Sequence, residues 1–535
     1  MRTSMCAWAL AGTIALAAAA DDPPVTLELR DYAAAPVTGR LEGTGQTDGM
    51  LARITSLREE PGGSNRFFIN DLNGPLYILD KTSRTFTTYL DFNGRDGRPG
   101  MFHKLTFEAG YGNGLNVVQF DPDYRRNGRF YTVHIEDPSL PGSNLPDGAH
   151  VPGANFRGYT ATAPVTTPGP IQREGVLIEW TDSNIANATF EGTARELLRV
   201  QLNTRIHPLG DIAFNPAARP GDPEWRVMYL GCGDGGSGES KTDIRLNPQR
   251  LDTLVGKILR IVPDLSEHRT ASAVSGNGRY RIPNDNPFFS LPGAKKEIWA
   301  SGLRNPHRLH FAVDADARNN RLIADSIGLY TWETINIIRK GANYGYSLRE
   351  GNEVLQADNR TAPLPEVDRI PTRISDAQTE GTVIPTYPVF QYGHVAGGGD
   401  AIGSGYLYRG KLIPALVGKY IFTDISTGRV WYADYKDLLA ADDGDPRTMA
   451  TVHAIKLRWD DPNDKPDQGP RLFDSMFDIV EAAYHFRGGK DANLPGAARV
   501  AGEGRADAHV AMDASGELYV FSKSDGMLRV VVGAR

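Results

Sequence analysis

Val117-Val-Gln-Phe-Asp-Pro-Asp-Tyr-Arg-Arg-Asn-Gly-Arg-Phe-Tyr131 reads as a short apolar strand, a turn rich in Asp, Pro and Gly, and the start of a second apolar strand. β-Branched and aromatic residues favour extended backbone, and the Asp-Pro and Asn-Gly steps close each run. The unit recurs. Ile212-Ala-Phe-Asn-Pro leads to Trp225-Arg-Val-Met-Tyr, and Leu309-His-Phe-Ala-Val-Asp-Ala-Asp leads to Arg321-Leu-Ile. Val510-Ala-Met-Asp-Ala-Ser-Gly-Glu-Leu-Tyr is a fourth copy. Phe120, Phe214 and Phe311 are spaced 94 and 97 residues apart. That exceeds the ~40–50 residues of one four-stranded blade. The spacing therefore predicts one visible copy per one or two blades, with long loops between. In a chain of 535 residues, repeated antiparallel pairs suggest an all-β propeller, which protects its edges by radial repetition. Unrelated hairpins of a sandwich or barrel would leave the same local pattern.

The rest of the chain agrees with an all-β reading. Arg66-Phe-Phe-Ile-Asn, Leu76-Tyr-Ile-Leu, Lys257-Ile-Leu-Arg-Ile-Val, Lys419-Tyr-Ile-Phe-Thr and Glu517-Leu-Tyr-Val-Phe are further strand signals. The best helical stretch, Asp437-Leu-Leu-Ala-Ala, is short. Glycine is high, at 58 residues, with 35 prolines, so the chain turns often. Length alone would allow three or four domains, although all-β folds run long as one. The formal charge of −7 argues against a nucleic-acid groove and a polybasic membrane surface. Two cysteines, Cys6 and Cys232, cannot build a disulfide framework or a cysteine zinc site, and no Cys-x-x-Cys-His is present for covalent haem.

Residues 1–20 carry a short positive start at Arg2, an apolar run from Cys6, and Ala17-Ala-Ala-Ala20 before Asp21. This is the pattern of a cleaved signal peptide, and the run is shorter than the ~20 residues needed to span a bilayer. Export without disulfides suggests a bacterial envelope, periplasmic or secreted. The expected organisation is a signal peptide over 1–20, a lead-in segment over 21–47, and one propeller over 48–535. Residues 139–195, 350–385 and 455–500 read as insertions between blades.

More specific strings follow in order. They are Gly114-Leu with Phe120-Asp-Pro-Asp-Tyr; His207-Pro-Leu-Gly-Asp-Ile-Ala-Phe; Gly231-Cys-Gly-Asp-Gly-Gly; Leu254-Val-Gly-Lys-Ile-Leu-Arg-Ile; and Ile282-Pro-Asn-Asp-Asn-Pro-Phe. Next come Ile298-Trp-Ala-Ser-Gly-Leu-Arg-Asn-Pro-His, Trp332-Glu-Thr-Ile-Asn with Gly341-Ala-Asn-Tyr-Gly-Tyr, and Pro388-Val-Phe-Gln-Tyr-Gly-His. Over about residues 48–535 this order resembles the soluble quinoprotein glucose and sorbosone (aldose sugar) dehydrogenase family. The resemblance implies a six-bladed propeller carrying pyrroloquinoline quinone (PQQ) and calcium on its top face.

Oxidising a sugar hydroxyl requires a base for the hydroxyl proton, a hydride acceptor, and positive charge near the anion that develops. His207 is the candidate base, because an imidazole can be neutral and accept a proton near neutrality. Its neighbour Ile206 stands where the glucose enzyme has a polar residue, which implies a different or less hydrophilic substrate. Arg304 and Asn305 match the family's Arg-Asn pair, which contacts the cofactor and faces its reactive carbonyl. The resemblance places calcium on the backbone carbonyls of Gly328 and Leu329, with Ile327 in place of a glutamine. Glu239 and Asn113 are candidate substrate contacts. Asp234 is read chiefly as a turn residue bonding its own backbone, and Cys232 as a small buried apolar residue.

The carboxylate anchors look thin. Ser426 aligns with the family's lysine, and Arg429 and Arg505 are the cations nearby. His394, ahead of a Gly-Gly-Gly run, is a further loop candidate, but no Lys-Ser/Thr follows to make a phosphate loop. Branches of the family, including hedgehog-interacting-protein-like propellers, also lack parts of this set. The expected function is thus an exported PQQ- and calcium-dependent sugar dehydrogenase, handing electrons to an external acceptor. Two alternatives stand beside it: a non-catalytic propeller binding carbohydrate or protein through its top loops, and a calcium-dependent hydrolase or lactonase. The last would need side-chain carboxylates converging on the central channel.

Overall fold

The computed structural model describes residues 25–41, 49–107, 112–464, 468–498, 500 and 502–535. The expected signal peptide over 1–20 lies outside them. Among the described residues, six sheets of four or more strands follow one another along the chain, five of them antiparallel throughout and the sixth with one parallel pair. Their first strands are Ile54–Glu59, Leu115–Phe120, Leu209–Phe214, Asn305–Ala312, Ile402–Leu407 and Ala508–Met512. We number the sheets 1 to 6 in that order. Each of the first five is a simple four-stranded succession outward from its first strand.

The first strands contact one another in a closed cycle, sheet 6 returning to sheet 1. The core has the same order. Phe68, Ile78 and Trp180 fill the space between sheets 1 and 2, and Val117, Leu177 and Leu230 that between sheets 2 and 3. Tyr229, Ile258 and Ala324 lie between 3 and 4, and Ile335, Phe422 and Trp431 between 4 and 5. Tyr432, Leu457 and Val520 lie between 5 and 6, and Phe67, Ile69 and Phe521 between 6 and 1. Side chains alternate across a strand, so Phe67 and Phe68, consecutive in sequence, serve opposite cores. Each sheet is hydrophobic on both faces because each has a neighbour on both.

Sheet 6 joins the two ends of the chain. Thr26–Ala34 pairs antiparallel with Met527–Ala534 and parallel with Lys456–Trp459. The sheet assembly therefore takes in residues ahead of 48, within the stretch expected to be a lead-in. The 455–500 insertion likewise contains strands Lys456–Trp459 and Arg471–Phe473 and a helix, Phe477–Phe486. That helix buries Ile479, Val480, Ala483 and Tyr484 along one face. Residues 139–195 are also only partly loop, since strand Arg173–Asp182 runs through them. Copies one, two and three of the repeated turn fall on sheets 2, 3 and 4, one per sheet. Among the described residues no helix is long and apolar enough to cross a membrane.

Candidate functional site

The six first strands run side by side between two cavities. At their far ends the repeated turns Phe120–Pro122, Phe214–Pro216 and Met512–Ala514 border a cavity of about 400 Å³, with Arg58 and His310. At their near ends Leu209, Asn305, Ala401 and His509 border a second cavity of about 290 Å³, with His207, Arg304, Gly328 and Leu329 from the loops. The second cavity gathers most of the residues that the motifs single out.

His207 sits two residues ahead of strand Leu209–Phe214 in a left-handed backbone, φ 51°. A non-glycine residue there costs about 1 kcal/mol. The turn is held by a hydrogen bond from Gly235 N–H to the His207 carbonyl (3.0 Å). Gly233 packs so close that a Cβ there would lie 2.3 Å from that carbonyl oxygen, so only glycine fits the approach. His207 Nδ1 lies 2.7 Å from Asp234 Oδ1, and Nε2 lies 3.9 Å from Glu239 Oε1.

Asp234 is fully buried and also accepts the Gly236 and Gly238 amides at 2.8 Å each. Burial alone would raise its carboxyl. His207, Arg304 and the Gly236 amide outweigh burial and hold it below the ordinary carboxylate range. The turn reading of Asp234 is therefore half of its role. It bonds its own loop and also holds the histidine. Because Asp234 is ionised it can only accept, so Nδ1 of His207 carries a proton and the neutral ring keeps its lone pair on Nε2.

Arg304 is buried beside this pair. One terminal nitrogen donates to the carbonyls of Ile327 (3.3 Å) and Gly328, and the other to Glu239. Its Nε has no partner. Burial disfavours the charge, but Glu239, Tyr346 and Asp234 more than compensate and raise the guanidinium above its ordinary value. The loop after Ile327 is shaped from beneath. The amides of Leu329, Tyr330, Thr331 and Trp332 all donate to Glu350 Oε1, at 2.8, 2.9, 2.8 and 3.1 Å. Gly328 N–H donates to Glu333 (3.1 Å), and its Cβ position would lie 1.7 Å from the Trp332 carbonyl. With the amides turned to buried carboxylates, Gly328 and Leu329 border the cavity.

The cavity wall carries four cations, Arg304, Arg308, Arg505 and Lys523, against one carboxylate, Asp400. His307 and His509 also line it, and none of their four ring nitrogens has a hydrogen-bond partner. Burial, then Arg308 and Lys523, push both imidazoles far below the ordinary histidine range. Burial brings the Lys523 ammonium down to about 8, with Asp507 opposing it. A wall so short of acceptors suits a ligand with several anionic oxygens.

The remaining expected residues are distributed as follows. Ile206 and Ile327 line the cavity, as does Arg505, which lies 3.6 Å from Asp507. Glu239 is tied to Arg304 at its edge. Asn113 is buried beside Gly112 and is not itself a lining residue. Arg429 lies on the turn ahead of Val430–Asp434 and does not line the cavity, and neither does Ser426, which is fully buried. His394 is bonded to the buried Glu333 (2.8 Å) instead of facing the cavity. Cys232 is buried and its thiol is pushed up to about 12 by burial. Arg308, His307, His509 and Lys523 were missed by motif reasoning. Their signal was positional: His307 and Arg308 directly follow the Arg-Asn-Pro string, His509 lies in a strong hairpin and Lys523 directly follows it.

Comparison with known proteins gives a consistent picture. HIPL1 protein of Arabidopsis thaliana is 27% identical over 385 residues, covering 69% of this chain and 51% of its own length. The chain spans about half the length of the curated relatives it matches at such coverage. Aldose sugar dehydrogenase YliI of Escherichia coli K12 is 36% identical over 104 residues, 19% of this chain and 23% of that one. The solved soluble aldose sugar dehydrogenase of Escherichia coli, in its apo form, superposes with a TM-score of 0.52 at 16% identity, covering 94% of this chain and 98% of that one. At that identity the likeness concerns the fold. Residues 200–438, which hold His207, Asp234, Arg304 and the 327–332 loop, match the family model described as glucose/sorbosone dehydrogenase.

Proposed function

We propose that the chain is an exported oxidoreductase, built as a six-bladed propeller, that oxidises a hydroxyl of an aldose or related sugar with PQQ as electron acceptor. The observation that carries this reading is the His207–Asp234 pair opening on a cavity with four cations and one carboxylate. The fit to PQQ rests on the chemistry of that wall: unpartnered ring nitrogens and buried ammonium and guanidinium groups match a flat tricarboxylate. When bound, PQQ would supply the hydride acceptor, and calcium would polarise it as a Lewis acid. Gly328 and Leu329 would offer two carbonyl oxygens to that calcium. Calcium takes 6–8 oxygens, so the cofactor and solvent would have to complete the set. Among the described residues no group of three or more His, Cys, Asp or Glu could hold a metal.

This chain's own residues then divide the work. His207 Nε2 takes the sugar hydroxyl proton, and Asp234 keeps Nδ1 protonated and balances the imidazolium that results. Arg304, fixed by two carbonyls and Glu239, brings lasting positive charge to the cavity. Ile206 and Leu329 make part of the wall apolar, which favours a sugar presenting one weakly hydroxylated face.

Electrons would leave to an external acceptor, and export would place the reaction in the periplasm or outside the cell. A second reading, a non-catalytic module binding carbohydrate or protein, is favoured by the Arg304–Glu239 ion pair, which satisfies two polar groups against each other. The converging side-chain carboxylates that a hydrolase would need find no support in the cavity wall. The test is to add PQQ and calcium to the purified chain and follow dye reduction with a panel of aldoses. Dye reduction by at least one sugar is expected. Tight binding of a sugar without any dye reduction would favour the second reading.

A further inference from the structure

The cavity of about 400 Å³ at the far ends of the first strands takes no part in the reaction proposed above, and it has the size of a small-molecule site. Three sheets bring donors to it. Arg58 lies near the end of strand Ile54–Glu59 of sheet 1. Its terminal nitrogens donate to Tyr406 Oη (2.9 Å) and to both oxygens of Asp211 (2.8 and 2.9 Å), while its Nε is buried with no partner. His310 lies on strand Asn305–Ala312 of sheet 4. The Leu407 amide donates to its Nε2 (3.1 Å), so the ring proton sits on Nδ1. Arg409 follows two residues after strand Ile402–Leu407 of sheet 5. Among the described residues it makes no hydrogen bond or ion pair; packing lowers its guanidinium and no carboxylate opposes that. The three groups sense one another, because burial, then Arg409 and Arg58, bring the His310 imidazole down to about 3.

The carboxylates of the same wall are engaged elsewhere. Asp121 accepts from Tyr131 and Arg226, both at 2.8 Å. Glu59 accepts from Lys81 (2.9 Å) and the Ala514 amide (2.8 Å). Asp513 turns one oxygen to the Ser515 and Glu517 amides of its own turn, at 2.9 Å each. The wall therefore offers Arg58 Nε–H, His310 Nδ1–H and the Arg409 guanidinium without an acceptor. Buried polar groups are normally satisfied, and a buried donor left unpaired is costly. An entering oxyanion would accept from all three and balance the charge of Arg409; a neutral hydroxyl would accept but leave that charge. Phe214, Trp225 and Phe311, each half-buried, supply apolar lining to the same cavity.

We propose that the far cavity is a second binding site, for a small organic anion. Its carboxylate or phosphate head is received by Arg409, His310 Nδ1–H and Arg58 Nε–H, and its apolar body packs on Phe214, Trp225 and Phe311. Sheets 1, 4 and 5 are thereby joined through one ligand at the end of the ring opposite His207. The site is independent of what the near cavity binds, since the two cavities share no lining residue.

Calorimetric titration tests it with phenyl phosphate, benzoate and the neutral benzyl alcohol on wild type, Arg409→Gln and His310→Gln. Arg409 has no bond within the protein to lose, and glutamine at 310 keeps an acceptor for the Leu407 amide while removing the Nδ1 donor, so both variants should fold. At least one of the two anions should bind wild type, and the tighter of them identifies the head group. Loss of a charged hydrogen bond should weaken that anion roughly tenfold or more in Arg409→Gln, and loss of a neutral one roughly three- to tenfold in His310→Gln. Benzyl alcohol should bind more weakly than either anion and equally to all three proteins. Failure of both anions to bind wild type would overturn the site. Equal anion affinity in wild type and both variants would place the anion elsewhere, the cationic near cavity included, and would overturn it too. Benzyl alcohol binding as tightly as the anions would refute the charge-based recognition.

Discussion

Replacing Asp234 by Asn removes one charge and changes no volume, so its effect can be worked from three hydrogen bonds. Oδ1 receives His207 Nδ1–H at 2.7 Å and the Gly236 amide at 2.8 Å, and Oδ2 receives the Gly238 amide at 2.8 Å. An asparagine has one acceptor oxygen. If its NH₂ takes the Oδ2 position, it meets the Gly238 N–H and leaves a buried donor unpaired, at about 1–3 kcal/mol of stability. His207 then keeps its tautomer but loses the charge that balances the imidazolium. A charge-assisted bond is stronger than a neutral one by about 1–2 kcal/mol, which is roughly a five- to thirtyfold loss in kcat. If the amide flips, NH₂ faces Nδ1, the ring must carry its proton on Nε2, and no lone pair remains for substrate. The corresponding change in the serine-protease triad costs about 10⁴ in kcat. Asp234→Asn is therefore expected to lower kcat by roughly 5 to 10⁴, with PQQ affinity unchanged and a modest fall in urea midpoint. Steady-state dye reduction, calorimetric PQQ titration and equilibrium unfolding measure the three effects. A variant with wild-type kcat would refute the assignment of His207 as base and of Asp234 as the residue that holds it.

Further outcomes follow from the surrounding groups. Glu350→Gln replaces an ion that accepts four amides with a neutral acceptor. It should cost about 2–3 kcal/mol in urea unfolding and weaken calcium uptake in the presence of PQQ; unchanged stability would show that the loop does not depend on Glu350. In His394, burial would lower the imidazole, but the bond to Glu333 outweighs it and the pKa is raised above 6.5. The protonated pair therefore contributes fully below 6.5 and its contribution is lost as pH rises through the higher folded value. Wild type should lose stability relative to His394→Gln over that window, and parallel stability curves would contradict it. On the proposed function, calcium would take the carbonyls of Gly328 and Leu329, and Arg304 already donates to the first, so calcium should stabilise the chain against heat only when PQQ is present. A calcium shift without PQQ would place that ion elsewhere.

The strands were legible because each is short, apolar on both faces and closed by turn residues. Their number was harder to see, since the repeat is carried by one turn per sheet, at the far cavity, while the outer strands diverge. The 94- and 97-residue intervals are single sheets enlarged by long connections. The Phe477–Phe486 helix was hidden in an interval read as an insertion.

In the site, His207 and Arg304 stood out because motif strings mark them. Asp234 could have been placed from register alone. Leu209 pairs with Cys232, so residues two before the first and two after the second, His207 and Asp234, face each other across the hairpin end. Lys523 and His509 could not be placed that way. They reach the cavity from sheet 6, at the far end of the sequence, and line it together with Arg304.

The central claim is that a sugar delivers a hydride within this cavity while His207 takes the proton. The most direct measurement mixes the chain, loaded with PQQ and calcium, with excess aldose and no dye, and follows the absorbance of bound PQQ in a single turnover. The account predicts full reduction of bound cofactor by at least one aldose in wild type, and none on that timescale in His207→Ala at equal PQQ occupancy. Cofactor that stays oxidised in wild type with every aldose, or reduction at the wild-type rate in His207→Ala, would contradict it.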